Sequence, residues 1–165
     1  MNDFATRNKV RYRPNVTIAC VIEAENRFLM VEEWINGAQK FNQPAGHLEA
    51  NESLLMACAR EVYEETGLTI QPQYLLRIDQ YSANSELAFL RFTFCCQLPH
   101  CQQAIPQDRD ITAAHWLDYD EICTLGAKLR SPLVAAAIDS YRSGPRYDLA
   151  LLNWQFLTLA AGVKP

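Results

Sequence analysis

The sequence predicts an α+β or α/β/α arrangement built around a mixed β-sheet. Apolar segments with strand character lie on both sides of one amphipathic helix, and two shorter helical segments follow the last strand. The chain of 165 residues is long enough for a single domain with a buried core. Because no repeat or interdomain linker interrupts this order, we expect one folded unit.

The first half of the chain predicts a β-hairpin followed by the amphipathic helix. Residues 16–23 and 28–34 are rich in β-branched and apolar side chains, and a polar turn joins them. A polar loop at residues 36–42 then leads toward the helix. The helix is expected at residues 53–66, with Ser53 as its candidate N-cap and Gly67 as the residue that ends it.

The second half predicts more strands and two short helices. The strands are expected at residues 74–81, 87–97 and 114–117. Asp118 begins the first short helix, and Glu121 at its third position gives a variant of the capping box. Ser131 and Pro132 begin the second, and Gly144 ends it.

These elements divide the chain into three parts. We expect residues 1–13 to be a flexible lead-in and residues 14–149 to form the folded domain. Residues 150–165 are then an apolar tail, and its Trp154 and Phe156 should pack on the domain or on a partner subunit. The chain is therefore expected to be a monomer or a homodimer.

Composition and charge restrict the possible partners and location. The net charge of -4 and the lack of a basic run argue against binding to nucleic acid. No segment reaches the roughly 18–20 apolar residues needed to cross a bilayer. Residues 1–14 are polar and of mixed charge, unlike a signal peptide, so we expect a cytoplasmic protein.

Six cysteines are present, and in a cytoplasmic chain they are expected to be reduced. Most lie in apolar runs, where a thiol packs as a small apolar side chain. A zinc site is the alternative for one cluster, which consists of Cys95, Cys96, His100 and Cys101. The absence of two separated CxxC pairs in the sequence argues against it.

Three glutamates crowd one face of the predicted long helix. Glu61, Glu64 and Glu65 are spaced i, i+3 and i+4, so their carboxylates repel one another. Glu64 and Glu65 also lie near the helix C-terminus, where the helix dipole disfavours anions. A divalent cation would relieve both costs, because Mg²⁺ and Mn²⁺ prefer carboxylate oxygens. The alternative is a solvated acidic face paired with Arg60.

The surrounding residues favour the metal site. The segment from Gly46 to Leu68 matches the pattern G-x5-E-x7-R-E-U-x-E-E-x-G-U, where U is a bulky aliphatic residue. All nine specified positions agree, and a chance match is on the order of one in ten million. This pattern is the Nudix box, and the chain is identified as a member of the Nudix hydrolases.

The resemblance implies an α/β/α sandwich and hydrolysis of a phosphoric anhydride in a small phosphorylated substrate. It implies that Glu61, Glu64 and Glu65 bind Mg²⁺, with Mn²⁺ as a possible substitute, and that the Gly46 carbonyl adds a ligand. It also implies that Arg60 pairs with a glutamate, most simply Glu52, and holds the acidic side chains in place.

We expect in-line attack of a metal-activated water on phosphorus. Glu61 is the first candidate for the general base. Four other carboxylates stay open for this role: Glu64, Glu86, Asp108 and Asp110.

Segments outside the box resemble one bacterial phosphatase of this family. They are residues 16–21, 42–49, 89–92, 129–134 and 144–147, within residues 13–149. That resemblance implies release of orthophosphate from thiamine pyrophosphate, hydroxymethylpyrimidine pyrophosphate and nucleoside tri- and diphosphates.

Six side chains are candidates for substrate contacts. Arg91, Arg130 and Arg146 have forked guanidinium groups that match phosphate oxygens. Phe41, and with it Trp34 and Tyr81, could stack on a ring. A pyrophosphate-releasing enzyme and a catalytically silent ligand sensor are the competing functions.

Overall fold

The computed structural model describes residues 12–158. These residues form one mixed sheet with helices on both faces. The strands are β1 (Asn15–Ala24), β2 (Arg27–Ile35), β3 (Ala38–Asn42), β4 (Ala45–His47), β5 (Tyr74–Ser82), β6 (Ala88–Gln97) and β7 (Ile111–Leu117). The helices are α1 (Leu54–Thr66), α2 (Tyr119–Leu125) and α3 (Pro132–Ser143), with 3₁₀ turns at Gly126–Lys128 and Leu149–Leu151.

The sheet contains parallel and antiparallel pairs. Its main order is β3-β2-β1-β6-β5, with β4 paired to β1 and β7 paired to β2. The long pair of β1 with β6 is parallel, and the others are antiparallel. The hairpin turn between β1 and β2 has Glu25 and Asn26 at positive φ, as a two-residue hairpin requires.

The sandwich predicted from the sequence is confirmed, because two apolar clusters lie on opposite faces of the sheet. Ile18, Cys20 and Ile22 of β1 pack with Cys58 and Val62 of α1. On the other face, Val21 packs with residues of α2 and α3, among them Ile122, Val134 and Ile138. The alternation of side chains along β1 therefore supplies both halves of the core.

Two strands were missed: β3 lies in the segment predicted to be a polar loop, and β4 lies just after it. β3 contains the polar run Gln39-Lys40 and β4 has only three residues, so neither has the apolar alternation that predicts a strand. Backbone pairing stabilises them instead: β3 lies along β2, and Ile18 pairs with Gly46. β7 also begins earlier than predicted, at Ile111.

The predicted helix caps are largely present. Asp118 and Glu121 form a complete capping box at α2. Pro132 occupies the first turn of α3, although the side chain of Ser131 makes no capping hydrogen bond. Gly144 ends α3, as expected.

The two chain ends are described only in part. Residues 1–11 and 159–165 lie outside the described residues, and most of the expected lead-in is among them. Leu149 and Leu152 pack against the α1 side of the core, whereas Phe156 is 89% exposed. No helix in residues 12–158 is long and apolar enough to cross a membrane.

The zinc alternative does not fit the fold. Cys95 belongs to the core on the α3 side of the sheet and Cys96 to the core on the α1 side. Successive strand residues point to opposite faces, so these two thiols cannot converge on one ion. The six cysteines, all within the described residues, are free thiols.

Candidate active site

Helix α1 positions the acidic cluster. The Ser53 hydroxyl accepts a hydrogen bond from the Met56 amide at 3.2 Å and begins the helix. Gly67 ends it with φ of +71°, where its amide donates to the Tyr63 carbonyl. Because Cys58 and Val62 pack on the sheet, the glutamate face of α1 turns toward β4.

Arg60 holds three glutamates together. Its Nη2 donates to Glu52 at 2.7 Å, and its Nε donates to the other oxygen of the same carboxylate at 3.0 Å. Its Nη1 reaches Glu61 at 2.8 Å and Glu64 at 3.0 Å. Its Nη2 also donates to the His47 carbonyl at 2.9 Å, which joins the helix to β4. The expected pair of Arg60 with Glu52 is therefore present.

The backbone of β4 closely approaches the glutamates. A Cβ atom at Gly46 would collide with the carboxylate of Glu61, so only glycine fits there. The Ala45 amide donates to Oε2 of Glu65 at 2.8 Å. Glu61 and Glu65 are each only 9% exposed, and Glu64 has a more exposed side chain. Two buried carboxylates thus lie beside the backbone at Gly46.

Burial strongly perturbs these acids. Desolvation raises the pKa of Glu65 to about 8, and the negative charges of Glu61, Glu33 and Asp108 add to the rise. Desolvation also raises the pKa of Glu61, although Arg60 opposes it. Both acids therefore lie in surroundings that disfavour their charged forms.

The residue types fit a hard divalent cation. Carboxylate and carbonyl oxygens are its preferred ligands, and a positive ion would lower the cost of burying both charges. Among residues 12–158, no three acidic, histidine or cysteine side chains are spaced to hold a metal in these rotamers. Arg60 and the Ala45 amide currently hold the three carboxylates, so a metal would compete with those contacts.

The loop before β7 closes the C-terminal end of α1. The amides of Gln107 and Asp108 both donate to the Glu64 carbonyl at 2.8 Å, and the Ile105 amide donates to Thr66. These bonds satisfy carbonyls that the helix leaves unpaired. They also bring the charge of Asp108 close enough to affect Glu65. Asp110 follows in the same loop, and Glu86 lies exposed in the β5–β6 turn.

A cavity of about 350 Å³ adjoins the acidic cluster. Gly46, His47 and Glu65 line it together with Arg91. The volume is within the range of small-molecule sites in proteins.

Arg91 is the buried cation of this cavity. It is 6% exposed, and within residues 12–158 it forms no ion pair and its Nε has no hydrogen-bond partner. Burial lowers its pKa to about 10, so it stays charged near neutral pH. Its Nη2 donates to Gln43 at 3.0 Å, and the Gln43 amide donates to the Val134 carbonyl of α3 at 2.7 Å.

The other predicted substrate residues differ in their positions. Arg130 lines the cavity, where it pairs with Glu33 at 2.8 Å. Arg146 does not line it, because its guanidinium lies 4.6 Å from the ring centroid of Tyr141 and bonds the Tyr141 carbonyl. Phe41 is 7% exposed in the core, which is at odds with the predicted stacking role.

The aromatic and polar residues that do line the cavity were found only partly from the sequence. Trp34 is 59% exposed and lies outside the cavity lining, whereas Tyr81 is part of that lining. Phe89 was missed, and so was Gln43, which is fully buried outside the lining and bonds Arg91. Phe89 could have been found from its spacing, since it is two residues before Arg91 on β6 and shares its face. Nothing in the sequence marks Gln43 as the partner of Arg91.

Comparison with known proteins identifies the family of this chain. The profile of the NUDIX domain matches residues 11–137. Phosphatase NudJ of Escherichia coli K12 is 48% identical over 148 residues, which are 88% of this chain and 96% of that protein. Phosphatase NudJ of Shigella flexneri has the same identity and coverage. NudJ is the bacterial phosphatase that the segments outside the box resemble.

Solved structures agree as well. A NUDIX hydrolase from Nitrosomonas europaea is 44% identical with a TM-score of 0.79, covering 86% of this chain and 97% of that one. The NUDIX domain of Shewanella oneidensis NrtR, in complex with ADP ribose, is 13% identical with a TM-score of 0.67. It covers 82% of this chain and 90% of that one, and it supports the fold alone. The chain belongs to the Nudix family and is a hydrolase of phosphoric anhydrides.

Proposed function

We propose that this enzyme is a Mg²⁺-dependent phosphatase that releases orthophosphate from small diphosphates and triphosphates. Its substrates are thiamine pyrophosphate, hydroxymethylpyrimidine pyrophosphate and nucleoside tri- and diphosphates. The observation that carries the proposal is that the buried Arg91 lines the same small cavity as Gly46 and Glu65. The 48% identity to phosphatase NudJ supports the choice of substrates.

Glu61, Glu64, Glu65 and the Gly46 carbonyl would hold the metal ion. When bound, Mg²⁺ would supply charge neutralisation for the phosphates and a lower pKa for water. Arg60 sets the directions of Glu52, Glu61 and Glu64 through its fork. A lysine could not reproduce these directions, because its ammonium is a point charge on a flexible stem.

Glu61 is the proposed general base. Its raised pKa brings it closer to neutral pH, where a carboxylate accepts a proton from water more readily. Asp108 is the alternative base, because its loop is fixed to the end of α1. Arg91 and Arg130 hold the phosphate oxygens, while the ion pair with Glu33 keeps Arg130 at the cavity wall. Phe41 and Arg146 are outside this proposal because of their positions.

A product-resolved assay tests the proposal. The purified protein is incubated with Mg²⁺ and thiamine pyrophosphate or GTP, and orthophosphate and pyrophosphate are measured separately. We expect orthophosphate, with loss of turnover in EDTA. Pyrophosphate from GTP would identify a nucleotide pyrophosphohydrolase instead. No hydrolysis of any diphosphate would point to a ligand sensor.

Glu61→Gln tests the base within the same assay. We expect a loss of at least ~100-fold in kcat, the low end of acid–base contributions. A near-normal rate in the folded variant would exclude Glu61, and Asp108→Asn would then be examined. A cytoplasmic location and a monomer or homodimer stay predictions from the sequence.

A further inference from the structure

The cavity has two chemically different ends. Gly46, Glu65 and Arg91 make one end polar and charged. The β5–β6 hairpin and the start of α3 line the rest of it, and they add five apolar or aromatic side chains beside Arg130 and Ser131: Tyr81, Ala83, Leu87, Phe89 and Leu133. A phosphate group accounts for the first end, but it gives no reason for apolar side chains at the second.

Two aromatic rings form the wall of the apolar end. Tyr81 and Phe89 are directly opposite each other on β5 and β6. Their ring centroids are 6.3 Å apart and their planes differ by 22°, so the rings are nearly parallel. Both side chains are only partly buried, although both line the cavity. Such a pair is preorganised by the sheet and can take a further planar group on its face.

The strand geometry fixes the distance between the ring pair and the cation. Phe89 and Arg91 lie on the same face of β6, with one residue between them. Two residues of a strand advance about 7 Å, so the aromatic wall begins one side chain away from Arg91. A ligand held by its phosphates at Arg91 would therefore place its adjoining group against Tyr81 and Phe89.

We propose that the Tyr81–Phe89 pair recognises a planar heteroaromatic ring in the substrate while Arg91 holds its phosphates. This inference rests on the proposed function and names the feature that its substrates share. Stacking uses the π-face that every base has, so it tolerates different rings. The neighbours Ala83, Leu87 and Leu133 have no side-chain group that could read base edges, and the Ser131 hydroxyl can either donate or accept, so it does not distinguish one base from another. The enzyme then selects ring-bearing anhydrides without distinguishing purines from pyrimidines.

The test compares ring-bearing and ringless substrates in matched variants. GTP and CTP are compared with methyl triphosphate, which has the same phosphate chain and no ring. Tyr81→Ala and Phe89→Ala remove one ring each, whereas Tyr81→Phe keeps the ring. Tyr74→Ala is the control, because Tyr74 is an exposed tyrosine on the same strand and lies outside the cavity lining.

We expect kcat/KM for GTP and CTP to fall by about 5- to 150-fold in each alanine variant, the range of stacking on one aromatic side chain. The values for methyl triphosphate should stay within about twofold, as should all values for Tyr74→Ala, whereas Tyr81→Phe should restore most of the kcat/KM that Tyr81→Ala loses for GTP and CTP. Equal losses for all three substrates would overturn the inference, since the pair would then act on the fold or the phosphate end. Unchanged values for GTP would overturn it too.

A binding experiment distinguishes failure of this inference from failure of the proposed function. Dissociation constants are measured by calorimetry for β,γ-methylene GTP and for methylene diphosphonate, which has no ring. Weaker binding of the GTP analogue alone in Tyr81→Ala and Phe89→Ala would support ring recognition. A wild-type protein that binds this analogue but hydrolyses nothing would contradict the proposed function, and the same comparison would still decide the inference.

Discussion

Replacement of Glu65 by glutamine should stabilise the metal-free protein. The carboxylate of Glu65 is 9% exposed, and burial raises its pKa from an ordinary 4.5 to about 8. Glutamine has nearly the same shape, and its carbonyl can still accept the Ala45 amide. The substitution therefore removes the buried charge and retains the hydrogen bond.

The magnitude follows from the pKa. Each pKa unit corresponds to about 1.36 kcal/mol, so a rise from 4.5 to about 8 sets an upper limit of about 5 kcal/mol. A buried amide also loses hydration, so we expect a net gain of about 1–3 kcal/mol at pH 8.5. The gain should vanish at low pH, because Glu65 of wild type is then a neutral acid like glutamine. Since its folded-state pKa is raised, the stability that wild type has in full below pH 4.5 is lost as pH rises through about 8.

Urea unfolding in EDTA measures this effect. The free energy of unfolding of Glu65→Gln and wild type is compared from pH 4 to pH 8.5, with Glu64→Gln as the control at an exposed neighbouring carboxylate. Excess Mg²⁺ should stabilise wild type more than Glu65→Gln, because a ligand that binds only the folded state raises its stability. Equal stability of Glu65→Gln and wild type at pH 8.5 in EDTA would refute a costly charge at Glu65.

Three further substitutions test residues that position the acidic side chains and Arg91. Arg60→Lys should lower kcat/KM about 10- to 100-fold, because a lysine cannot span the glutamates that Arg60 joins; a Mg²⁺ titration at fixed substrate checks it. Gly46→Ala should lose about 100-fold in kcat, since the new Cβ displaces Glu61, with folding followed by circular dichroism. Gln43→Leu should raise KM about tenfold with little change in kcat, because Arg91 loses a hydrogen-bond partner. Steady-state kinetics with GTP measure both constants, and a loss in kcat would contradict this role.

Much of the catalytic helix could be predicted from local sequence. Ser53 and Gly67 mark the ends of α1, and the 3.6-residue period places Glu61 and Glu65 on one side. The spacing of Arg60 and Glu64 by four residues brings them together on any helix. These relations span one element and its flanking turn, so they need no knowledge of the rest of the fold.

The short strands show where local pattern fails. β3 and β4 have too few apolar side chains to be recognised, and they exist because neighbouring strands provide backbone partners. β4 matters for the site, since it brings Gly46 against Glu61. The closeness of that approach depends on the pairing of Gly46 with Ile18, which the sequence of β4 does not reveal.

By itself, the sequence determined the family, the acidic helix and the pairing of Arg60 with its glutamates, because the residues concerned lie within one short segment. Only the tertiary structure decided which distant side chains meet that segment. Arg91 and Arg146 are equivalent candidates in the sequence, yet Arg91 is buried in the cavity lining and Arg146 lies against Tyr141. The physical reason is that substrate contacts come from strands and helices far apart in the chain, and the sheet register and helix packing set their positions.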